Sequence, residues 1–490
     1  MYRGDLVLKF VIIFLCLEIS RNYDGKLHSK KDARILVLGA GMSGLSTAKT
    51  LFDAGYKNIL ILEAAPHIGG RMKSAQVGNY TVELGAMWIY GRGTNPIYSL
   101  AKKHDITLTD SFVDDWTVRD ENGFNVTTAA NGAYDRIQYA ISEINALMQN
   151  TMSDFTTSAA LRFLNWTSTS HIDDVIEAYT IDFETGVHPS SHSGRHLNLH
   201  DTYKDFGNNA MLAVKHEHGF VSMLKYMCED FIQDPVDQLI WLNKTVTSIT
   251  YGDNSVAVQT SSGEIIKSDF AVVTFSLGVL QQRLVNFHPP LPLKKRLAID
   301  MFGMSSYSHI YLQFPYAFWD KTMYILYASK FRGKYSFWQN MNTIYPGSNI
   351  LQLSLFDRDA LWVDHSSDEE VVKELLFVLR KMYPHEDILA PIDYAISRWN
   401  SDPLFMGAFS YWPSGFTMKD MVELQKPVGR VHFAGEHLDP LHYGFAHAAF
   451  MSGQRTAKDI IHCIESTLKC NEPVDTISKF ELYPLVMKST

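Results

Sequence analysis

Apolar positions along this chain follow two rhythms. Arg34-Ile35-Leu36-Val37-Leu38 is an unbroken β-rich apolar run, which predicts a strand buried on both faces. Leu45 to Leu51 has helical spacing, and Gly55 closes that helix. Asn58-Ile59-Leu60-Ile61-Leu62 predicts a second buried strand. Later the pattern alternates, with strands expected at Val246-Thr247-Ser248-Ile249, Val256-Ala257-Val258-Gln259 and Phe270-Ala271-Val272-Val273. His309 to Phe314 and Ile350 to Leu355 read as strands of another sheet, and Tyr134 to Met148 and Glu369 to Met382 as helices. Near the end, Val431-His432-Phe433-Ala434 is strand-like, Gly435-Glu436 a turn, and Phe445 to Ile464 helical. No internal repeat or low-complexity stretch interrupts these elements.

The N-terminus breaks the pattern. Arg3 and Lys9 flank the apolar run from Phe10 to Leu17, whose eight residues are too few to span a bilayer but suit a secretory signal. No other stretch reaches the roughly 18 apolar residues of a membrane helix. Four N-x-S/T sequons, at Asn79, Asn125, Asn165 and Asn243, fit a secreted glycoprotein. Once Cys16 leaves with the signal, Cys228, Cys463 and Cys470 remain, an odd number, so one at least is free or intermolecular. A bridge between Cys463 and Cys470 requires the helix to end between them. Composition adds exclusions. With 490 residues, 46% hydrophobic and 20% charged, the chain is neither disordered, collagen-like nor a coiled coil. A net charge of -9 argues against nucleic-acid binding by bulk charge and is compatible with a cationic small ligand.

The first strand runs into Gly39-Ala40-Gly41-Met42-Ser43-Gly44, then the helix, the second strand and Glu63, nineteen residues after Gly44. This is the dinucleotide fingerprint in its full context. Gly39 permits the tight turn, Gly41 lets backbone approach a pyrophosphate, Gly44 lets helix and strand pack closely, and Glu63 can hold a ribose hydroxyl. The helix N-terminus supplies the positive end for phosphates. After Glu63, Gly69-Gly70-Arg71 resembles FAD enzymes more than NAD dehydrogenases, with Arg71 offering a charged fork for phosphate.

From about Arg34 to about Cys463 the chain resembles the flavin-dependent amine oxidases, and among them the polyamine oxidases. The resemblance rests on motifs in order. Val82-Glu83-Leu84-Gly85-Ala86-Met87-Trp88-Ile89-Tyr90-Gly91 resembles the segment beside the flavin, which places Gly85 and Ala86 with the cofactor. Ser276 to Leu280 resembles the edge of the second flavin segment. Trp399, Asp402, Pro403, Gly407, Phe409 and Ser410 match a spaced pattern, and Gly429 to His437 is similar to the C-terminal signature. The resemblance implies an α/β fold: a discontinuous Rossmann-like FAD-binding domain (31–120, 237–300 and 395–468) interleaved with an α+β substrate domain (121–236 and 301–394). A leader at 1–30 and a tail at 469–490 flank them. Glu436 would hold the ribityl-pyrophosphate end and the Val246 backbone would sit by the adenine. The family moves a hydride from the carbon beside an amine nitrogen to flavin N5. Imine hydrolysis then gives aldehyde and amine, and dioxygen becomes hydrogen peroxide. Phe409 and Phe445 match the pair that sandwiches the reacting carbon, and Trp88, Trp399 and Tyr307 match other aromatic positions, Trp399 also standing beside the cofactor. Glu184 aligns with a substrate-side glutamate of plant-type members. Apolar faces favour the neutral amine while π clouds tolerate cationic character.

Two departures stand out. The family lysine whose amine holds a water against flavin N5 is replaced by His309. Alternation puts Tyr307, His309 and Tyr311 on one face and Ile310, Leu312 and Phe314 on the other, so His309 faces the cavity as the catalytic candidate. Altered reoxidation and a pH dependence near the histidine range are expected. Tyr90 replaces the glutamate of plant-type members and the histidine of animal ones, leaving a hydrogen-bonding tip without charge. Competing readings are another amine or amino-acid oxidase of this fold, and a flavoprotein with weakened oxidase chemistry. No metal site is expected.

Overall fold

A computed structural model describes residues 30–149, 153–197, 206–207, 210–232 and 239–466. The leader run from Phe10 to Leu17, Cys470 and the tail at 469–490 lie outside the described residues. The fold begins at a 3-10 turn, Lys30–Asp32, where Lys31 pairs with Glu465 at 3.1 Å.

The first sheet has five parallel strands, ordered Val431–Phe433, Phe270–Val273, Ile35–Leu38, Ile59–Leu62 and Ile240–Trp241. These strands come from three separated pieces of chain. A parallel sheet is covered on both faces, which is why its strands read as unbroken apolar runs. Ile35 and Val37 pack into one core with helices Met42–Asp53 and Ala446–Glu465, while Leu36 and Leu38 pack into another on the opposite face. The two helices touch through small polar groups: the Ser46 hydroxyl donates to the Phe450 carbonyl at 2.8 Å and Thr47 to that of Gly453 at 3.1 Å. The second core includes the sheet Ile265–Ser268, Val256–Thr260, Val246–Tyr251 and Asn286–His288.

The larger sheet runs Asp393–Ile396, Tyr307–Gln313, Ile350–Phe356, Phe337–Asn340, Tyr324–Ala328 and Trp116–Asp120. All neighbours are antiparallel except the last pair. Its edge strand Trp116–Asp120 falls in the stretch that the sequence assigns to the nucleotide unit. Pairing with Tyr324–Ala328 and a forked ion pair from Arg119 to Asp320 tie it instead to this sheet. Ile310, Leu312 and Phe314 pack under helix Asp368–Met382, which starts in a Ser367–Glu370 capping box. Tyr307 and His309 face the opposite side, toward the parallel sheet. One cavity of about 620 Å³ lies between the two sheets. Among the described residues no helix is long and apolar enough to cross a membrane, and no cluster of side chains could hold a metal ion.

Candidate active site

One end of the cavity is a nucleotide cradle. Helix Met42–Asp53 starts at Gly41 without a side-chain cap, and Gly41, Met42 and Ser43 line the cavity. The first N–H groups of a helix have no intrahelical acceptor, so this end favours an anion. Gly39, with φ +123°, makes the turn into it. Gly44 lies outside the wall, where a Cβ would come within 2.0 Å of the Gly39 carbonyl oxygen, so only glycine lets helix and strand approach this closely. Glu63 is buried and accepts from the Ala40 and Ala65 N–H groups at 2.7 and 2.8 Å. Burial raises its pKa, with those two bonds opposing. Val246 opens its strand on the same wall.

Past the helix N-terminus, Arg71 Nη1 donates to Glu436 at 2.8 Å and to the Ala408 carbonyl at 2.9 Å. Glu436 also takes the Ser410 hydroxyl at 2.5 Å and the Gly444 N–H at 2.7 Å. Burial alone would raise its pKa, but Arg71, the nearby His437 and the Ser410 bond hold it below the usual value, so it stays ionised. Glu436 lies in a 3-10 turn after strand Val431–Phe433, not at the start of the long helix. Gly70, Gly85 and Ala86 line the neighbouring wall, and Trp399 Nε1 fixes the Leu84 carbonyl at 3.0 Å.

The other end is aromatic. Tyr90 meets Phe445 edge-on at 4.7 Å, Tyr307 and Phe409 stand 5.4 Å apart, and Phe183 lies 3.9 Å from Phe337. Trp88 completes this wall. Glu184 also faces the cavity rather than bulk solvent, and burial pushes its carboxyl up to about 7. Tyr90 is pushed well above its ordinary value by burial and then by the nearby Glu184 charge.

His309 sits on the floor of this aromatic end, 7% exposed. Its backbone N–H donates to Ser397 Oγ at 2.8 Å, and Nδ1 is 3.0 Å from the Glu83 carbonyl oxygen. A carbonyl only accepts, so this contact assigns the proton to Nδ1 and turns the Nε2 lone pair to the cavity. The Tyr311 hydroxyl donates to the same carbonyl at 2.7 Å. Burial pushes the imidazole down to about 4, outweighing the Glu83 bond. The pH dependence expected near the ordinary histidine range is therefore corrected: the ring is neutral at pH 7 and changes charge well below pH 6.

All the site residues expected from the sequence except Gly44 line this one cavity. The sequence reading missed His192 and His196. Both line the wall and are pushed down by burial, to about 4 and about 3, with His196 stacked on Trp412 at 3.9 Å. The available signal was the run of histidines at 188, 192 and 196. It also missed Gln339 and Ser354, inward-facing positions of alternating strands. Cys228 is buried and free, while Cys463 is disulfide-bonded in the helix that ends at Glu465.

Residues 42–461 match the family of flavin containing amine oxidoreductases. The chain belongs to that family. Similar to it are polyamine oxidase 1 of Zea mays, 33% identical over 482 residues that cover 93% of this chain and 95% of that one, and polyamine oxidase 7 of Oryza sativa subsp. japonica, 32% identical over 443 residues covering 86% and 93%. A solved putrescine oxidase triple mutant with redesigned cofactor binding superposes with TM-score 0.70, covering 88% of this chain and 99% of that one. At 17% identity that likeness is one of fold.

As an amine oxidoreductase of this family the protein is an FAD enzyme, acting on an amine with dioxygen. The cradle fits the cofactor on its own geometry. An uncapped helix start opens onto the cavity, a pinned carboxylate stands beside it, and a partly buried Arg71–Glu436 pair also lines the wall. Glu63, the first residues of the helix and Glu436 all line this cradle. The cradle and the aromatic end are one continuous space.

Proposed function

We propose that the protein oxidises the carbon beside a secondary-amine nitrogen of a polyamine: spermidine, spermine or an acetylated form. Overall, one secondary amine, one dioxygen and one water become one aldehyde, one primary amine and one hydrogen peroxide. FAD supplies the two-electron acceptor and passes the electrons to dioxygen. The chain's residues do the rest. Phe409 and Phe445 hold the reacting segment between apolar faces that favour its neutral amine. His309, neutral and with Nε2 as an acceptor, holds a water or a substrate N–H at the floor. Glu184 takes a distal ammonium.

The observation that carries this reading is Glu184. Three carboxylates line the cavity among the described residues. Glu63 and Glu436 are engaged by backbone N–H groups, Ser410 and Arg71, while Glu184 stands among aromatic rings, raised by burial alone. A cation beside it would restore its charge. An amino-acid substrate would instead need an arginine for its carboxylate, and Arg71, the arginine on this wall, is held by Glu436 and Ala408. The test is anaerobic addition of spermidine, spermine or their acetylated forms to the yellow holoenzyme. Bleaching with recovery in air supports the reading; no bleaching, or bleaching only by monoamines or amino acids, refutes it.

We also propose that the protein enters the secretory pathway and is glycosylated. Asn79, Asn125, Asn165 and Asn243 are all exposed, and Asn165 and Asn243 lie in left-handed turns with φ +61° and +57°. Expression in a eukaryotic secretory host should give protein in the medium whose mobility shifts on endoglycosidase treatment. Retention in the cytosol without a shift refutes this.

A further inference from the structure

The helical segment that delivers Glu184 is irregular. It runs as an α-helix over His171–Glu177, a π-helix over Ala178–Asp182 and a last α-turn over Phe183–Thr185. In the π turn the Phe183 N–H bonds the Ala178 carbonyl, five residues back. A π turn adds one residue to the turn, so everything after it is rotated by roughly 100° relative to an unbroken α-helix. Phe183 and Glu184 come directly after it, and both face the cavity. The extra residue thus decides where Glu184 points.

One side chain brackets this turn. Arg332, in the connection between strands Tyr324–Ala328 and Phe337–Asn340, forks onto Asp182 with bonds of 2.7 and 2.8 Å. Its Nε donates to Glu177 at 3.0 Å, and Trp166 Nε1 holds the other Glu177 oxygen at 2.7 Å. Glu177 and Asp182 are five residues apart. On an α-helix such residues point roughly 140° apart, too divergent for one guanidinium to bind both at these distances. In a register bonded five residues back they stand one above the other. Arg332 can close this clamp only on the π form, and it does so from partial burial, with side-chain exposures of 20% for Arg332, 12% for Glu177 and 6% for Asp182.

We propose that Arg332 is a positioning residue for the amine substrate: by bridging Glu177 and Asp182 it holds the π turn that aims Glu184 into the cavity. This rests on the reading of Glu184 as the anchor for a distal ammonium. The same connection leads into Phe337, whose ring meets Phe183, so clamp and wall belong to one unit.

The test is a double-mutant cycle on the FAD-loaded enzyme with spermidine, using R332M, E184Q and R332M/E184Q. R332M is expected to raise KM about tenfold with kcat within about threefold. In the E184Q background it should add little, because residues acting through one another are not additive. R332K, which keeps the charge but loses the fork, should recover part of the loss. If R332M does not retain flavin, R332K and D182N run through the same cycle. An equal rise in KM with and without Glu184, or a fall in Tm with unchanged KM, overturns the proposal. An unchanged KM in E184Q alone overturns the anchor reading instead, so the two failures are distinct.

Discussion

Glu184→Gln tests the amine anchor by removing its charge and little of its volume. Burial raises the Glu184 carboxyl from 4.5 to about 7. That shift corresponds to about 3 kcal/mol favouring the protonated form in the ligand-free fold. The sign follows from the folded value lying above the unfolded one. Stability contributed by the protonated group is complete below the unfolded value and is lost as pH rises toward 7. A bound ammonium returns that energy, so substrate affinity rises over the same window. Losing one partner of a close charge pair costs about 2 kcal/mol at the low end of the usual range, or roughly 30-fold. At pH 8 the E184Q enzyme should therefore show a KM for spermidine about 30-fold above wild type. At pH 5.5 only about 1 in 30 wild-type carboxyls is ionised, so the ratio should fall to about 2. Titration of the substrate's own nitrogens cancels in this ratio. Steady-state kinetics from pH 5.5 to 8.5 measure it. A ratio that stays constant with pH, or below two at pH 8, would refute the reasoning.

His309→Lys restores a donor where wild type offers an acceptor, and stopped-flow mixing of the reduced enzyme with dioxygen should show faster reoxidation; an unchanged rate counts against a role for His309. Since the imidazole sits at about 4, wild-type reoxidation should be flat from pH 6 to 8, and a break near 6.5 would contradict its burial. Glu436→Gln leaves Arg71 beside a neutral amide, so flavin retention, read as absorbance per protein after gel filtration, should fall at least tenfold, about 1.4 kcal/mol. Gly44→Ala drives a Cβ against the Gly39 carbonyl and should lower stability by about 1–3 kcal/mol and lose FAD; a yellow protein of normal Tm would contradict that close approach.

Much of this was legible in the sequence because the signals were local. The parallel strands appear as unbroken apolar runs, and the expected helix from Phe445 to Ile464 is the observed Ala446–Glu465. Alternation set the facing of Tyr307, His309 and Tyr311. What it hid depends on partners remote in the chain. The strand Trp116–Asp120 has nothing in its own residues to name Tyr324–Ala328 as neighbour. The neutral state of His309 comes from burial by remote parts of the chain, and it persists although the Glu83 carbonyl, 226 residues away, opposes it. The π turn before Glu184 leaves no mark in apolar spacing, and its clamp arrives from Arg332, 150 residues on from Asp182.

The embrace of the first helix by the last has a consequence for biosynthesis. Met42–Asp53 is covered by Ala446–Glu465, with Ser46 bonded to a carbonyl 404 residues later. At about 5–20 residues per second, a ribosome takes roughly 20–80 s to make the intervening chain. Throughout that interval the nucleotide-binding half lacks both its closing helix and Glu436. The nascent protein must survive with an uncovered apolar flank, and flavin can be captured only once the chain is almost finished. A transcript cut short before this last helix should therefore yield colourless, aggregation-prone polypeptide rather than a smaller yellow one.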